Sequence, residues 1–339
     1  MSRILADANL PDVAQVFHPL NVTLFTDEDS LLKQIQSHDI LICRSTLKVN
    51  ERLLKNTPIR LVGTATSGTE HLDKNWLEAN QIRYMSAKGA NAHAVADYVC
   101  IILAWLQKNK GWWGKKAGII GCGKAGSKVK YRLESLGFTV YTNDPWRRDE
   151  ANFTHHPLNA LQDCDVICIH CDHHENQPYP SHHLVNQDFL QRYKTNGILI
   201  NAARGGIVDE TALLASIHCE NYCTDVYNNE PDINTHLLKS CMLATPHIAG
   251  HTIEAKYNAV IMLAQQIFEY LNIRPTHPLL KVSFPEINVN SKNPEWINKA
   301  LSIYNPGLDS QALKISSDIA QDFKRLRKAH NFRHDMNWL

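Results

Sequence analysis

Residues 118–144, GIIGCGKAGSKVKYRLESLGFTVYTND, decide the fold. Ala117 to Cys122 is a short apolar run, and Gly121, Gly123 and Gly126 then fall in the spacing G-x-G-x-x-G. Ala125, Val129, Leu133 and Leu136 recur at helical spacing until Gly137, a helix stop, after which Phe138 to Thr142 reads as a second strand running to Asp144. The stretch is a βαβ unit with an acid at its tip. Each residue type has a task there. The first glycine permits a tight turn, the second lets the backbone approach a pyrophosphate, and the third lets helix pack closely on strand. The helix N-terminus offers N–H groups and a positive dipole end to the phosphates. Asp144, eighteen residues after the third glycine, would accept hydrogen bonds from adenosine ribose hydroxyls and repel the additional phosphate of NADP. Gly121, Gly123, Lys124, Ala125, Gly126 and Asp144 are therefore cofactor-binding candidates, and the cofactor expected is NAD.

Upstream, RILAD, VTLFT, DILICRS, IRLVGTAT and IRYMSA alternate with helical patterns, enough for a small parallel sheet of their own. Two polar loops follow strands in this region, Arg44-Ser45-Thr46 and Thr64 to Thr69, where hydroxyls and glycine amides can hold an anion. Asn91 to Lys108 reads as a long helix leading into the glycine loop. Downstream, DVICIH, GILINAA, YCTDVY and MLATPH are further strands, so residues 91–250 read as a complete doubly wound domain. Thr252 to Leu271 is again helical and returns to the first domain, which is thus 1–90 plus 251–274. Pro275 and Pro278 mark a linker into a third small unit, 275–339, whose closing helix would carry Ile315, Ile319, Phe323 and Leu326 on one face.

Composition narrows the partners. With 339 residues, 44% hydrophobic content and a formal net charge of +1, nothing draws the chain to nucleic acid or anionic lipid. The basic run Lys324 to Lys328 reads as a solvated helix face. No apolar run is long enough to cross a membrane, and the N-terminus lacks the pattern of a signal peptide, so a cytoplasmic protein is expected. Nine cysteines scattered in apolar runs read as reduced core thiols. Cys164, Cys168 and Cys171 have a spacing used by some iron–sulfur enzymes, but in a strand Cys168 and Cys171 point to opposite faces, so no metal is expected.

Oxidising an alcohol by hydride transfer needs a base for the hydroxyl proton, a cation for the substrate and a group that orients the base. Three strand ends offer them: Arg204 in NAARGGIVDE, Glu230 in DVYNNEPD and His247 in ATPHIAGHT. Arginine grips a carboxylate in bidentate fashion, and a carboxylate beside His247 favours its charged form and fixes its ring. Taken singly, each has a bland reading: a surface arginine, a turn acid before Pro231, a satisfied histidine.

The ordered set GIIGCGKAG, NAARGGIVDE, DVYNNEPD and TPHIAGHT resembles the D-isomer-specific 2-hydroxyacid dehydrogenases. CRSTLKVNERLL, IRLVGTATSGTEHLD, GANAHAVADYV and the ending FKRLRKAHNFRHDMNW resemble those members that act on a phosphorylated 2-hydroxyacid. The resemblance covers nearly all of the chain. It implies an α/β architecture in which a doubly wound Rossmann NAD domain is inserted in a smaller flavodoxin-like α/β substrate domain, with a small C-terminal α+β dimerisation unit and a homodimer. It implies His247 as proton donor or acceptor, Glu230 as its carboxylate partner and Arg204 as the substrate-binding arginine. Ser45, Thr66 and His251 match substrate contacts, and Asp144, Cys171, Ala202, Ala203, Arg204, Asp225 and Gly250 match NAD contacts. His251 stands where a tyrosine is usual, and Cys171 where a threonine is usual. Two other readings stay open: a different 2-hydroxyacid substrate, such as 3-phosphoglycerate, or glyoxylate reduced in the reverse direction, and an NAD-sensing binding protein without catalysis.

Overall fold

The computed structural model describes residues 2–275, 284–330 and 332–338; Pro278 of the expected linker lies outside them. The described chain divides into two compact units, Met1–Asn91 with Thr252–Pro285, and Ala92–His251 with Glu286–Leu339.

The first unit is built on strands β1 (Arg3–Asp7), β2 (Asn21–Phe25), β3 (Ile40–Cys43), β4 (Leu61–Thr64) and β5 (Arg83–Ser86). All pair in parallel in the order β2-β1-β3-β4-β5, the flavodoxin-like arrangement. Alternate side chains feed two cores, as strand geometry requires. Ile4, Ala6, Ile40 and Ile42 face Val260, Leu263, Ala264 and Ile267 of the helix Ile253–Tyr270, while Leu5, Leu41 and Val62 face Leu31, Leu54 and Leu77. That helix starts at Thr252, whose hydroxyl accepts from Ala255 N at 3.1 Å. It lies close enough to β4 that a Cβ on Gly63 would sit 2.9 Å from Leu263.

The second unit carries β6 (Lys116–Ile120), β7 (Thr139–Asn143), β8 (Val166–Ile169), β9 (Ile198–Asn201), β10 (Tyr222–Thr224) and β11 (Leu243–Ala244). They form one parallel sheet in the order β11-β10-β9-β8-β6-β7. The chain reverses direction across the sheet between β6 and β8, the switch point at which doubly wound folds bind ligands. The helix Ala92–Lys110 is buried nearly all round, with Tyr98 to Ala104 at 0% exposure, because it fills the core on one face of this sheet. Cys168 points into that core, whereas Cys164 and Cys171 pack on the opposite face. All nine cysteines are free thiols, and only Cys171 is not fully buried.

The C-terminal segment expected as a separate unit packs on this same body. Trp296, Ala300 and Tyr304 join the core of the helix Ala92–Lys110, and Leu313 and Phe323 join the core of the other face. The short strands β12 (Ile287–Val289) and β13 (Met336–Trp338) pair in parallel. Asp97, 1% exposed, accepts from Met336 N at 2.7 Å, Trp338 Nε1 at 2.9 Å and Arg132 Nε at 3.2 Å. Breaking such a buried pair by removing one partner costs about 3–5 kcal/mol. The single closing helix read from the sequence is in fact two, Pro306–Lys314 and Ile319–Ala329. Ile315 ends the first and is 76% exposed, so only Ile319, Phe323 and Leu326 share the inward face.

Candidate active site

Because every strand of the second sheet is parallel, its carboxyl ends share one edge, and the candidate residues of this unit lie along it. The glycine loop follows β6, Asp144 follows β7, Cys171 follows β8, Arg204 follows β9, Asp225 follows β10, and His247 follows β11.

At the β6–β8 end the backbone is arranged by what is missing. Gly121 has φ +83°, and a Cβ there would lie 2.4 Å from Cys171 N. A Cβ on Gly126 would lie 2.1 Å from Gly121 O, so the helix Lys124–Ser135 can approach only without one. Gly123, by contrast, faces open space, and as N-cap it supplies no side-chain acceptor to the first helical turn. These three features fit a dinucleotide pyrophosphate laid across the loop. Lys124, exposed, and Ala125, packed against the core, open that helix. Asp144 Oδ2 accepts from Cys122 N at 2.9 Å, which fixes the acid against the loop. Arg147, next along, pairs with Glu150 Oε2 at 2.6 Å.

At the β9–β11 end the backbone is arranged by buried polar side chains. Asn201 Nδ2 donates to Arg204 O at 2.9 Å, and Ala203 N donates to Asn201 Oδ1 at 3.1 Å, setting the turn Ala202-Ala203-Arg204. Arg204 Nη1 donates to Ala203 O at 2.7 Å. Gly205 lies so near Tyr227 O that a Cβ would be 2.1 Å away, which ties this turn to the loop carrying Glu230.

His247 Nδ1 and Glu230 Oε2 are 2.6 Å apart, and Tyr227 N donates to Glu230 Oε1 at 3.0 Å. Burial alone would raise the Glu230 pKa; the charge and hydrogen bond of His247 and the Tyr227 amide outweigh it and hold the carboxyl below its ordinary value. An ionised Glu230 can only accept, so Nδ1 carries the proton and Nε2 is left as the acceptor nitrogen of the ring. His247 is held at φ +55°, a left-handed conformation that a side-chain-bearing residue keeps only when its surroundings enforce it.

Asp225, fully buried, supplies part of that enforcement: Oδ1 accepts from Ile248 N at 2.8 Å and Thr245 Oγ1 at 2.7 Å, and Oδ2 from Ala249 N at 2.7 Å. Tyr98 OH lies 2.7 Å from Thr245 Oγ1, and Tyr227 OH donates to Thr245 O at 3.0 Å. Sequence reading matched Asp225 to the cofactor and missed Thr245 and Tyr98, whose roles depend on partners far along the chain, and Asn201, whose amide sets the turn just after it. Gly250 and His251 follow directly, with His251 N bonded to Ile248 O at 2.8 Å.

In the first unit, Ser45 is exposed after β3. Thr66 Oγ1 lies 2.7 Å from Thr64 Oγ1 and donates to Gly68 O at 2.8 Å, and Ser67 Oγ donates to Asn91 Oδ1 at 2.7 Å, so hydroxyls brace this loop. Among the described residues no cluster of His, Cys, Asp and Glu is arranged to hold a metal ion, and no helix is long and apolar enough to cross a membrane.

Residues 103–249 match the family model described as D-isomer specific 2-hydroxyacid dehydrogenase, NAD binding domain. Erythronate-4-phosphate dehydrogenase of Legionella pneumophila is 44% identical over 335 residues, covering 98% of this chain and 95% of that protein. The protein of the same name from Coxiella burnetii is 34% identical over 354 residues, covering 99% and 94%. Among solved structures, the NAD+-bound 3-phosphoglycerate dehydrogenase of Entamoeba histolytica superposes with a TM-score of 0.66 at 22% identity, covering 80% of this chain and 95% of that one, a likeness of fold.

Proposed function

The chain belongs to the D-isomer specific 2-hydroxyacid dehydrogenase family, and from that premise we propose that it oxidises the C2 hydroxyl of 4-phospho-D-erythronate to (R)-3-hydroxy-2-oxo-4-phosphooxybutanoate, a step of pyridoxal 5'-phosphate synthesis. It is an NAD-dependent dehydrogenase. The observation that carries the catalytic reading is the 2.6 Å contact between His247 Nδ1 and Glu230 Oε2. The substrate is taken from the names of relatives that align with nearly the whole chain.

His247 Nε2 takes the hydroxyl proton, and Glu230 stabilises the imidazolium that results. Arg204 grips the substrate carboxylate and the C2 oxygen. Ser45, Thr66 and His251 are proposed substrate contacts; a histidine at 251 can still donate a hydrogen bond to an anionic oxygen. Bound NAD supplies the hydride acceptor. Gly121, Gly123, Lys124, Ala125 and Gly126 would hold its pyrophosphate, and Asp144 its ribose, with Cys171, Ala202, Ala203, Asp225 and Gly250 nearby. We place the enzyme in the cytoplasm, in keeping with nine free thiols. A homodimer is proposed as well, and Leu308, Ile315 and Phe332, all more than half exposed on the C-terminal segment, favour it.

The test is NADH formation by purified protein on 4-phosphoerythronate, 3-phosphoglycerate and unphosphorylated 2-hydroxyacids. Turnover confined to the first supports the reading; equal turnover on lactate or glycerate refutes it; none on any acid, with NAD bound, favours a sensing protein.

A further inference from the structure

His247 sits in a turn gripped from two sides. Asp225 accepts the N–H groups of Ile248 and Ala249, at 2.8 and 2.7 Å. The carbonyls of the same two residues are held by Arg333, whose Nη2 donates to Ile248 O at 3.1 Å and to Ala249 O. Arg333 is 1% exposed and lies over the Tyr304 ring, 5.7 Å from its centroid. It comes from the last residues of the chain and is fixed there by its neighbours, since Met336 N and Trp338 Nε1 both donate to Asp97.

Arg333 is a costly residue to bury. Among the described residues its Nε and Nη1 have no hydrogen-bond partner, and desolvation is only partly offset by Tyr304, Asp97 and Asp225. A Met or Leu of similar bulk would fill this space at lower cost in stability. What an apolar residue cannot do is hold two successive carbonyls of a turn whose first residue is in a left-handed conformation.

We propose that Arg333 is a positioning residue for His247: with Asp225 it clamps both faces of the Ile248–Ala249 peptides, so the C-terminal segment sets the aim of the working imidazole nitrogen. This rests on His247 being the base. An error of about 1 Å in such a group costs on the order of a hundredfold in rate.

The test uses the full-length protein with Arg333→Met, which fills the buried space without donors, and Arg333→Ala, which leaves room for a small cation. For Arg333→Met we expect kcat to fall about a hundredfold, with the NAD dissociation constant and the melting temperature preserved. For Arg333→Ala we expect part of the lost kcat to return with millimolar guanidinium chloride. In a His247→Ala background Arg333→Met should cost nothing further, because its effect passes through His247. Arg325→Ala, on the exposed face of the same segment, is the control with unchanged kcat. The proposal falls if Arg333→Met keeps wild-type kcat, if NAD affinity falls along with kcat, or if the loss persists undiminished without His247. If instead His247→Ala retains wild-type turnover, it is the catalytic reading that fails.

Discussion

The two ends of one sheet edge reach a fixed geometry by opposite means. At the β6–β8 end, Gly121 and Gly126 are glycines because backbone occupies the space a side chain would need. At the β9–β11 end, His247 is aimed by side chains, Glu230 on its ring and Asp225 and Arg333 on the peptides after it. The glycine loop is set partly within itself, Gly126 against Gly121 O, and partly by the strand ends beside it, Cys171 against Gly121 and Asp144 on Cys122 N. The histidine turn needs partners 17, 23 and 85 residues away. The first arrangement suits binding a large, extended cofactor; the second suits placing one atom.

Substitutions should therefore separate cleanly by parameter. The largest effect is expected from Glu230→Gln, which no longer enforces a protonated Nδ1: kcat should drop roughly a thousandfold while NAD affinity stays put. Steady-state kinetics with direct NAD titration checks it, and a drop in affinity of similar size would erase the distinction between the two ends. Next comes Gly126→Ala, whose Cβ would meet Gly121 O at 2.1 Å. The strand–helix approach must open, costing about 3 kcal/mol, on the order of a hundredfold in NAD affinity, with kcat at saturating NAD little altered. Quenching of protein fluorescence by NADH reads this directly.

The smallest effect concerns the anchor of the C-terminal tail. Burial raises the Asp97 pKa to about 6, against opposing help from Arg132, compared with about 4 for an exposed aspartate. A raised acid contributes stability that is complete below the unfolded value and is lost as pH climbs through the folded one. Between pH 4 and 6, Asp97→Asn should thus gain on wild type in melting temperature as pH rises, with a constant gap above about pH 7. A gap that does not change with pH would show that Asp97 titrates alike in the folded and unfolded chain.

Legibility in the sequence follows the same division. The glycine spacing, the apolar strand runs and the acid at Asp144 are local, so the doubly wound fold could be read from them. Glu230 and His247 were found through their strand-end positions and the family's ordered motifs, but nothing local predicted that they touch. Arg333 was invisible: in NFRHDM it is one basic residue among several, and only the folded chain shows it buried. The division of the closing helix did leave a signal. Asn305 before Pro306, and Asp318 before Ile319, are N-cap residues, accepting from Gly307 N and Gln321 N, each at 3.0 Å. The apolar spacing of Ile315 with Ile319 concealed them.

The helix Ile253–Tyr270 closes the core of a sheet whose strands end at Ser86. During synthesis, the face bearing Ile4, Ala6, Ile40 and Ile42 is therefore covered only in part, by Val13, Val16 and Phe17, until that helix leaves the ribosome. At roughly 5–20 residues per second, the 160 residues between Asn91 and Thr252 hold it open for about 8–32 seconds. The unit inserted between sheet and helix in sequence can therefore begin folding before the first unit has its last core helix.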